Sequence, residues 1–122
     1  NFWQDVSVDL EKGRVYLPLE DLRRFGVSEA DLVGRRVTTG FRRMMRFEVE
    51  RARELFARGK ALESLIDRRA RLDVRLFRLG GEAVLDAIEA GDYDVLSERP
   101  RVSRGRKARM ALINGVRLKA GI

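Results

Sequence analysis

The sequence has no cysteine and no histidine. This excludes a disulfide framework, a thiolate metal site, and the commonest metal ligand and general base. Any metal must be held by oxygen. Proline occurs only twice and aromatic residues make up 7% of the 122 positions, and with few β-branched runs this balance favours helices over sheet. No stretch approaches the roughly 18 consecutive apolar residues of a membrane span, and the first residues lack the basic-then-apolar order of a signal peptide. The expectation is an all-α chain in a reducing, cytoplasmic setting.

What is present is charge, 37% of the chain, with a net value of +7. From Ser97 onward stand Arg99, Arg101, Arg104, Arg106, Lys107, Arg109, Arg117 and Lys119 against Glu98 alone, so the whole excess belongs to the last segment. Such a tail attracts phosphate of any kind, whether nucleic acid, anionic lipid or a diphosphate substrate.

The apolar spacing of Phe2, Val6 and Leu10 predicts one side of a helix ending at Gly13. Pro18 opens a brief helix that runs through Arg24 and closes at Gly26, and Ser28 with Asp31 forms a candidate capping box for another that runs to Gly34. A long helix is expected from Thr39 to Arg58, with Phe41, Met44, Met45, Ala52, Leu55 and Phe56 on its apolar face and Gly59 as its end. Arg42 and Arg43 read as its solvent side. A turn of helix around Ala61 to Ile66 leads to a second long helix from Arg69 to Ala90. Gly80 and Gly81 within it cost about 1 kcal/mol each relative to alanine, which points to close packing, a kink or a cavity wall. Gly91 stops that helix, AGDYDVLSERP is a loop, and Ser103 caps a last basic helix to Lys119.

Asn1, Asp5 and Asp9 stand four residues apart. On a helix this spacing makes a slanted stripe with side chains roughly 6 Å apart. Two carboxylates one turn apart repel each other unless a cation lies between them, and magnesium prefers a few carboxylates completed by water and phosphate oxygens. Such pairs are also ordinary on solvated helix surfaces. GRVYLP follows directly and places Arg14 and Tyr16 near the end of the stripe, where an arginine fork can grip phosphate.

The run N-x-x-Q-D-x-x-x-D-x-x-x-G-R-x-Y-x-P, present as Asn1, Gln4, Asp5, Asp9, Gly13, Arg14, Tyr16 and Pro18, resembles the second aspartate-rich motif of the squalene and phytoene synthase family. The likeness continues through PLEDLRRFGVSEADL, FEVERARELF and AVLDAIEAGDYDVLSERPRVS. It implies the C-terminal part of the all-α isoprenoid synthase fold, with residues 1–122 as one portion of a single domain whose other half carries a first aspartate-rich motif. It also implies that Mg2+ ions are held between the two motifs against a prenyl diphosphate, which ionises so that two prenyl units join head to head. Asp5 and Asp9 match metal ligands, with Asn1 beside them, and Arg14 and Tyr16 match the adjoining diphosphate-side segment. Asp5, Asp9 and Tyr16 are therefore the expected catalytic residues, and Asn1, Gln4, Arg14 and Arg99 the expected substrate contacts. Arg99 matches a basic position after the family's DYDVLSE-like loop and reads equally as a solvated tail charge.

Carotenoid-type members read N-I-L-R-D where this chain has N-F-W-Q-D, and they carry a tyrosine around Gly81. Both departures resemble the hopanoid branch, the bacterial squalene or hydroxysqualene synthases, with a phytoene or dehydrosqualene synthase as the alternative. In that branch Gln4 is a candidate for orienting the water that traps the cation. Phe2, Trp3, Phe41, Met44, Met45 and Phe77 line either the prenyl cavity or an ordinary core. By itself the chain is expected to lack turnover, and upstream coding sequence to carry another D-x-x-x-D or D-D-x-x-D/E. The basic tail leaves peripheral contact with anionic lipid open. A nucleic-acid-binding module is the reading of another class, though no recognised nucleic-acid motif accompanies the tail, and a helical interaction module would leave the aspartate stripe without a purpose.

Overall fold

Three short helices open the chain, and each closes on the same kind of turn. The computed structural model describes residues 1–119, with side chains as far as Leu112. In it α1 (Val6–Glu11), α2 (Leu19–Arg24) and α3 (Glu29–Val33) precede two long helices, α4 (Thr39–Leu62) and α5 (Arg68–Ala90), and then α6 (Arg104–Lys119). No strand occurs among the described residues. After α1 the Arg14 amide donates to the Asp9 carbonyl and the Gly13 amide to Leu10; after α2, Val27 donates to Leu22 and Gly26 to Arg23. These paired bonds satisfy carbonyls that a helix end leaves orphaned, and they require a left-handed residue at the turn. Gly13 at φ 69° and Gly26 at φ 67° provide it. After α3 the same bonds form, Arg36 to Asp31 and Arg35 to Leu32, but the left-handed residue is Arg35 at φ 51°.

The expected capping box is in place: the Ser28 hydroxyl accepts from the Asp31 amide at 3.1 Å and the Asp31 carboxylate from the Ser28 amide at 3.2 Å. Thr38 caps α4 through the Phe41 amide, and Ser103 caps α6 through the Arg106 amide. The core sits where α4 begins and α5 ends. Phe41, Met44, Met45, Val49, Ile88, Val95 and Leu96 are at most 1% exposed and pack with Val6, Leu22 and Leu32 from the short helices. Phe41, Met44 and Met45 are thus core residues, whereas Phe2 and Phe77 face outward and Trp3 is half-buried against the core.

One expectation is corrected and another extended. Gly59 does not end α4, which continues to Leu62; a lone glycine costs a helix only about 1 kcal/mol, which tertiary packing overrides. Arg42 is on the solvent side as expected, and there its guanidinium reaches the Val37 carbonyl at 3.2 Å and the Asp92 carboxylate at 3.1 Å, tying the start of α4 to the loop after α5. Gly81 answers the question of the paired glycines: a Cβ there would run into the Phe56 ring, while at Gly80 it would meet open space. No helix among the described residues is long and apolar enough to cross a membrane. The side chains of Arg117 and Lys119, counted in the basic tail, lie outside the described ones.

Candidate diphosphate and metal site

The regular part of α1 starts at Val6, so the stripe from Asn1 is not one continuous helix. Its spacing survives nonetheless, because the Asp5 amide donates to the Asn1 carbonyl at 2.9 Å and the Asp9 amide to the Asp5 carbonyl at 2.8 Å. Asp5 is the residue before the helix and makes no side-chain cap. Its carboxylate is drawn elsewhere. Arg99 donates from Nε to Asp5 Oδ1 at 2.6 Å, across a separation of 94 residues, and its Nη2 lies 3.4 Å from Gln4 Oε1. Gln4 in turn donates from Nε2 to the Pro100 carbonyl at 2.8 Å. The Gln4 side chain is buried, with both ends of its amide engaged inside the chain. It backs Arg99 from within the chain.

The second half of the stripe has its own neighbours. Asp9, Arg14, Tyr16 and Phe2 line one shallow depression over α1, and the Phe2 and Tyr16 rings stack with centroids 4.7 Å apart. Arg14 and Tyr16 are exposed because the turn at Gly13 carries the chain back along the outside of the helix. Asn1 is exposed at the edge. Asp5 is therefore matched with Arg99 and Gln4, and Asp9 with Arg14 and Tyr16, one helical turn apart.

The loop that delivers Arg99 is fastened at several points. Val95 and Leu96 are wholly buried. The Asp94 carboxylate accepts from the Ser97 amide at 3.0 Å; partial burial would raise its pKa, but the bonds from Ser97 outweigh this and hold it below the usual carboxylate range. Arg35 donates from Nη1 to the Leu96 carbonyl at 2.8 Å and from Nη2 to the Ser7 carbonyl of α1 at 3.2 Å. The bridging role of Arg35 is not legible in the sequence. The only local signal was a charged residue directly after Gly34, in a GRR run where either arginine reads as surface.

Among the described residues no group of three or more acidic, histidine or cysteine side chains is placed to hold a metal. Asp5 and Asp9 present hard oxygen donors one turn apart, with Asn1 preceding them, and this fits part of the shell of a magnesium ion that completes itself with water and phosphate. The guanidinium on Asp5 meets the same electrostatic need, a positive group against a carboxylate. Of the basic tail, Arg99 and Arg106 are paired inside the chain, Arg106 with Asp86, which also receives Arg53 at 2.8 Å. Arg101, Arg104, Lys107 and Arg109 face solvent.

A family model described as "Squalene/phytoene synthase" matches residues 1–106. The chain belongs to the squalene/phytoene synthase family. Among solved structures it is similar to squalene synthase HpnC from Alicyclobacillus acidocaldarius, with 46% identity and a TM-score of 0.73, covering 76% of this chain and 35% of that one. The all-α arrangement is accordingly that of the isoprenoid synthase fold over the matched part. Among curated relatives, 15-cis-phytoene synthase from Synechocystis sp. is 39% identical over 107 residues, 88% of this chain and 32% of its own length. Phytoene synthase 2 of Zea mays is 35% identical over the same length, 27% of its own. The chain spans about a third of the length of these relatives.

Proposed function

We propose that this chain forms the second aspartate-rich wall of a magnesium-dependent squalene or hydroxysqualene synthase, a class I head-to-head prenyl synthase acting on farnesyl diphosphate or presqualene diphosphate in hopanoid or triterpenoid biosynthesis. The observation that carries the reading is the meeting of Asp5 and Arg99 at 2.6 Å, beside Asp9, Arg14 and Tyr16. Carboxylates for a hard cation and guanidinium forks for phosphate stand together where α1 and its flanking turns meet the loop after α5. In this reading Asp5 and Asp9 hold the metal with Asn1 at the edge, Arg14 and Arg99 receive the departing diphosphate, and Tyr16 lies beside it. A bound magnesium ion would supply Lewis-acid stabilisation of the leaving group. Arg99 adds fixed positive charge where negative charge develops, in a place already shaped by Gln4. Because the chain spans a third of its relatives, turnover is assigned to the complete domain, where the opposing wall contributes the other half of the site.

The phytoene or dehydrosqualene synthase reading is favoured by one observation, the 39% identity to a phytoene synthase over 88% of the chain. Product analysis of the complete domain with farnesyl, presqualene and geranylgeranyl diphosphates separates the two. Hydroxysqualene or squalene from the first two substrates supports the proposal, and phytoene from the third supports the alternative. Asp5→Asn or Asp9→Asn should lower kcat on the order of 100-fold or more. Undiminished turnover in both variants would remove these aspartates from the site.

A further inference from the structure

We infer that Arg35 is a positioning residue for the diphosphate site, the staple that sets the distance between the aspartate-bearing helix and the loop carrying Arg99. The inference rests on the reading of Arg99 as a diphosphate contact. It begins with a backbone position that is wrong for arginine. The turns after α1 and α2 use Gly13 and Gly26 at their left-handed residue, and the turn after α3 makes the same pair of bonds around Arg35 at φ 51°. A side chain in this region is disfavoured by the contact of its Cβ with the backbone, so glycine would form the turn with less strain. What arginine adds is its side chain.

That side chain joins two elements far apart in sequence. Nη1 donates to the Leu96 carbonyl at 2.8 Å and Nη2 to the Ser7 carbonyl at 3.2 Å, while Glu11 lies 3.9 Å away. Ser7 stands between Asp5 and Asp9 on α1 and is buried; Leu96 is wholly buried and three residues before Arg99. One planar guanidinium thus fixes the separation of α1 and the loop from behind, and the Asp5–Arg99 contact closes the same gap from the front. A rigid fork with two parallel donors holds such a distance; a lysine ammonium on a flexible stem does not. Strain kept at a turn whose side chain braces a site is the pattern expected when positioning outweighs local stability.

The test uses the complete domain in wild-type form and as Arg35→Gly, Arg35→Lys, Arg99→Ala and the double variant Arg35→Gly/Arg99→Ala. Inorganic pyrophosphate with Mg2+ is titrated by calorimetry beside a thermal melt. Arg35→Gly relieves the turn as it removes the staple, so its melting temperature should stay within a few degrees of wild type. Its pyrophosphate affinity should fall about 10-fold, the worth of hydrogen bonds to a charged group. Arg35→Lys should fall between the two. In the Arg99→Ala background the glycine change should cost nothing further, since contacts acting through one another do not add. Wild-type affinity in Arg35→Gly or in Arg35→Lys, or losses from Arg35 and Arg99 that multiply, would overturn the inference, as would a loss of affinity in Arg35→Gly that merely tracks a collapse of its melting temperature. A wild-type domain that binds no pyrophosphate and converts no prenyl diphosphate would instead sink the functional reading beneath it.

Discussion

The two long helices form one hairpin with two differently held halves. Where α4 begins and α5 ends, Phe41, Met44, Met45, Val49 and Ile88 are at most 1% exposed, and the loop residues Val95 and Leu96 join them. At the other end Leu55, Leu62, Leu65 and Phe77 are between 59% and 79% exposed. Between Val49 and Ala83 the one buried residue is a carboxylate, Glu63, bonded to Arg78 at 2.5 Å and Arg75 at 3.2 Å, with Arg78 also on Glu82 at 2.8 Å. The same pair of helices is therefore sealed by apolar packing beside the site and pinned by ion pairs away from it. The residues proposed for the site sit beside the sealed half, where precise placement is available because close-packed side chains have few alternative arrangements.

Substitutions that break one half at a time sharpen this contrast. The largest effect should come from Phe41→Ala, which empties the middle of the sealed half and should cost about 4 kcal/mol in denaturant unfolding; a cost comparable to that of a surface change would mean the core is elsewhere. Glu63→Ala should cost about 3 kcal/mol by leaving the nearly buried Arg78 without its main partner. The bond from Arg78 holds the Glu63 carboxyl below the usual range despite burial, so this stabilisation is present above pH 4.5 and disappears as acid protonates the group. A pH scan should find the Glu63→Ala deficit shrinking under acid and constant near neutrality.

Glu48 behaves in the opposite sense. It is wholly buried in the sealed half with Oε1 unpartnered, and although Arg51 bonds Oε2 at 2.7 Å, burial and the neighbouring Asp21 push its pKa up to about 7. The folded state holds that proton more tightly than the unfolded chain, so stability should fall by roughly 2 kcal/mol as pH rises from 5 to 7. Glu48→Gln should flatten this dependence and be the more stable protein at pH 8. An unchanged pH profile would place the titration on another group. The smallest pair of effects marks the seam between the halves. Gly81→Ala meets the Phe56 ring and should cost about 1 kcal/mol, whereas Gly80→Ala meets open space and should gain up to about 1 kcal/mol from helix propensity. Equal effects would mean that Phe56 yields freely.

Local chemistry made much of this chain legible. The capping box at Ser28, the glycine turns at Gly13 and Gly26 and the apolar faces of α4 and α5 all follow from interactions within a few residues, which a single sequence displays. Gly59 reads as a helix end in sequence because a glycine inside a helix and one at its end look alike until neighbouring helices are present. Leu55 was placed on the apolar face by its period, yet it is 61% exposed because packing against α5 does not reach that far on its side.

The amino-acid order by itself determined the helices, the aspartate spacing that marks the family, and the absence of any thiolate or imidazole ligand, since each depends on residue type and short separation. Tertiary structure alone decided that Arg99 meets Asp5, that Gln4 backs the pair, and that Arg35 bridges α1 to the loop in a backbone state suited to glycine. Those contacts join residues 28 to 96 positions apart. They form only when the loop's Val95 and Leu96 are buried against α4, and hydrophobic burial has no direction of its own from which such pairings can be read in advance.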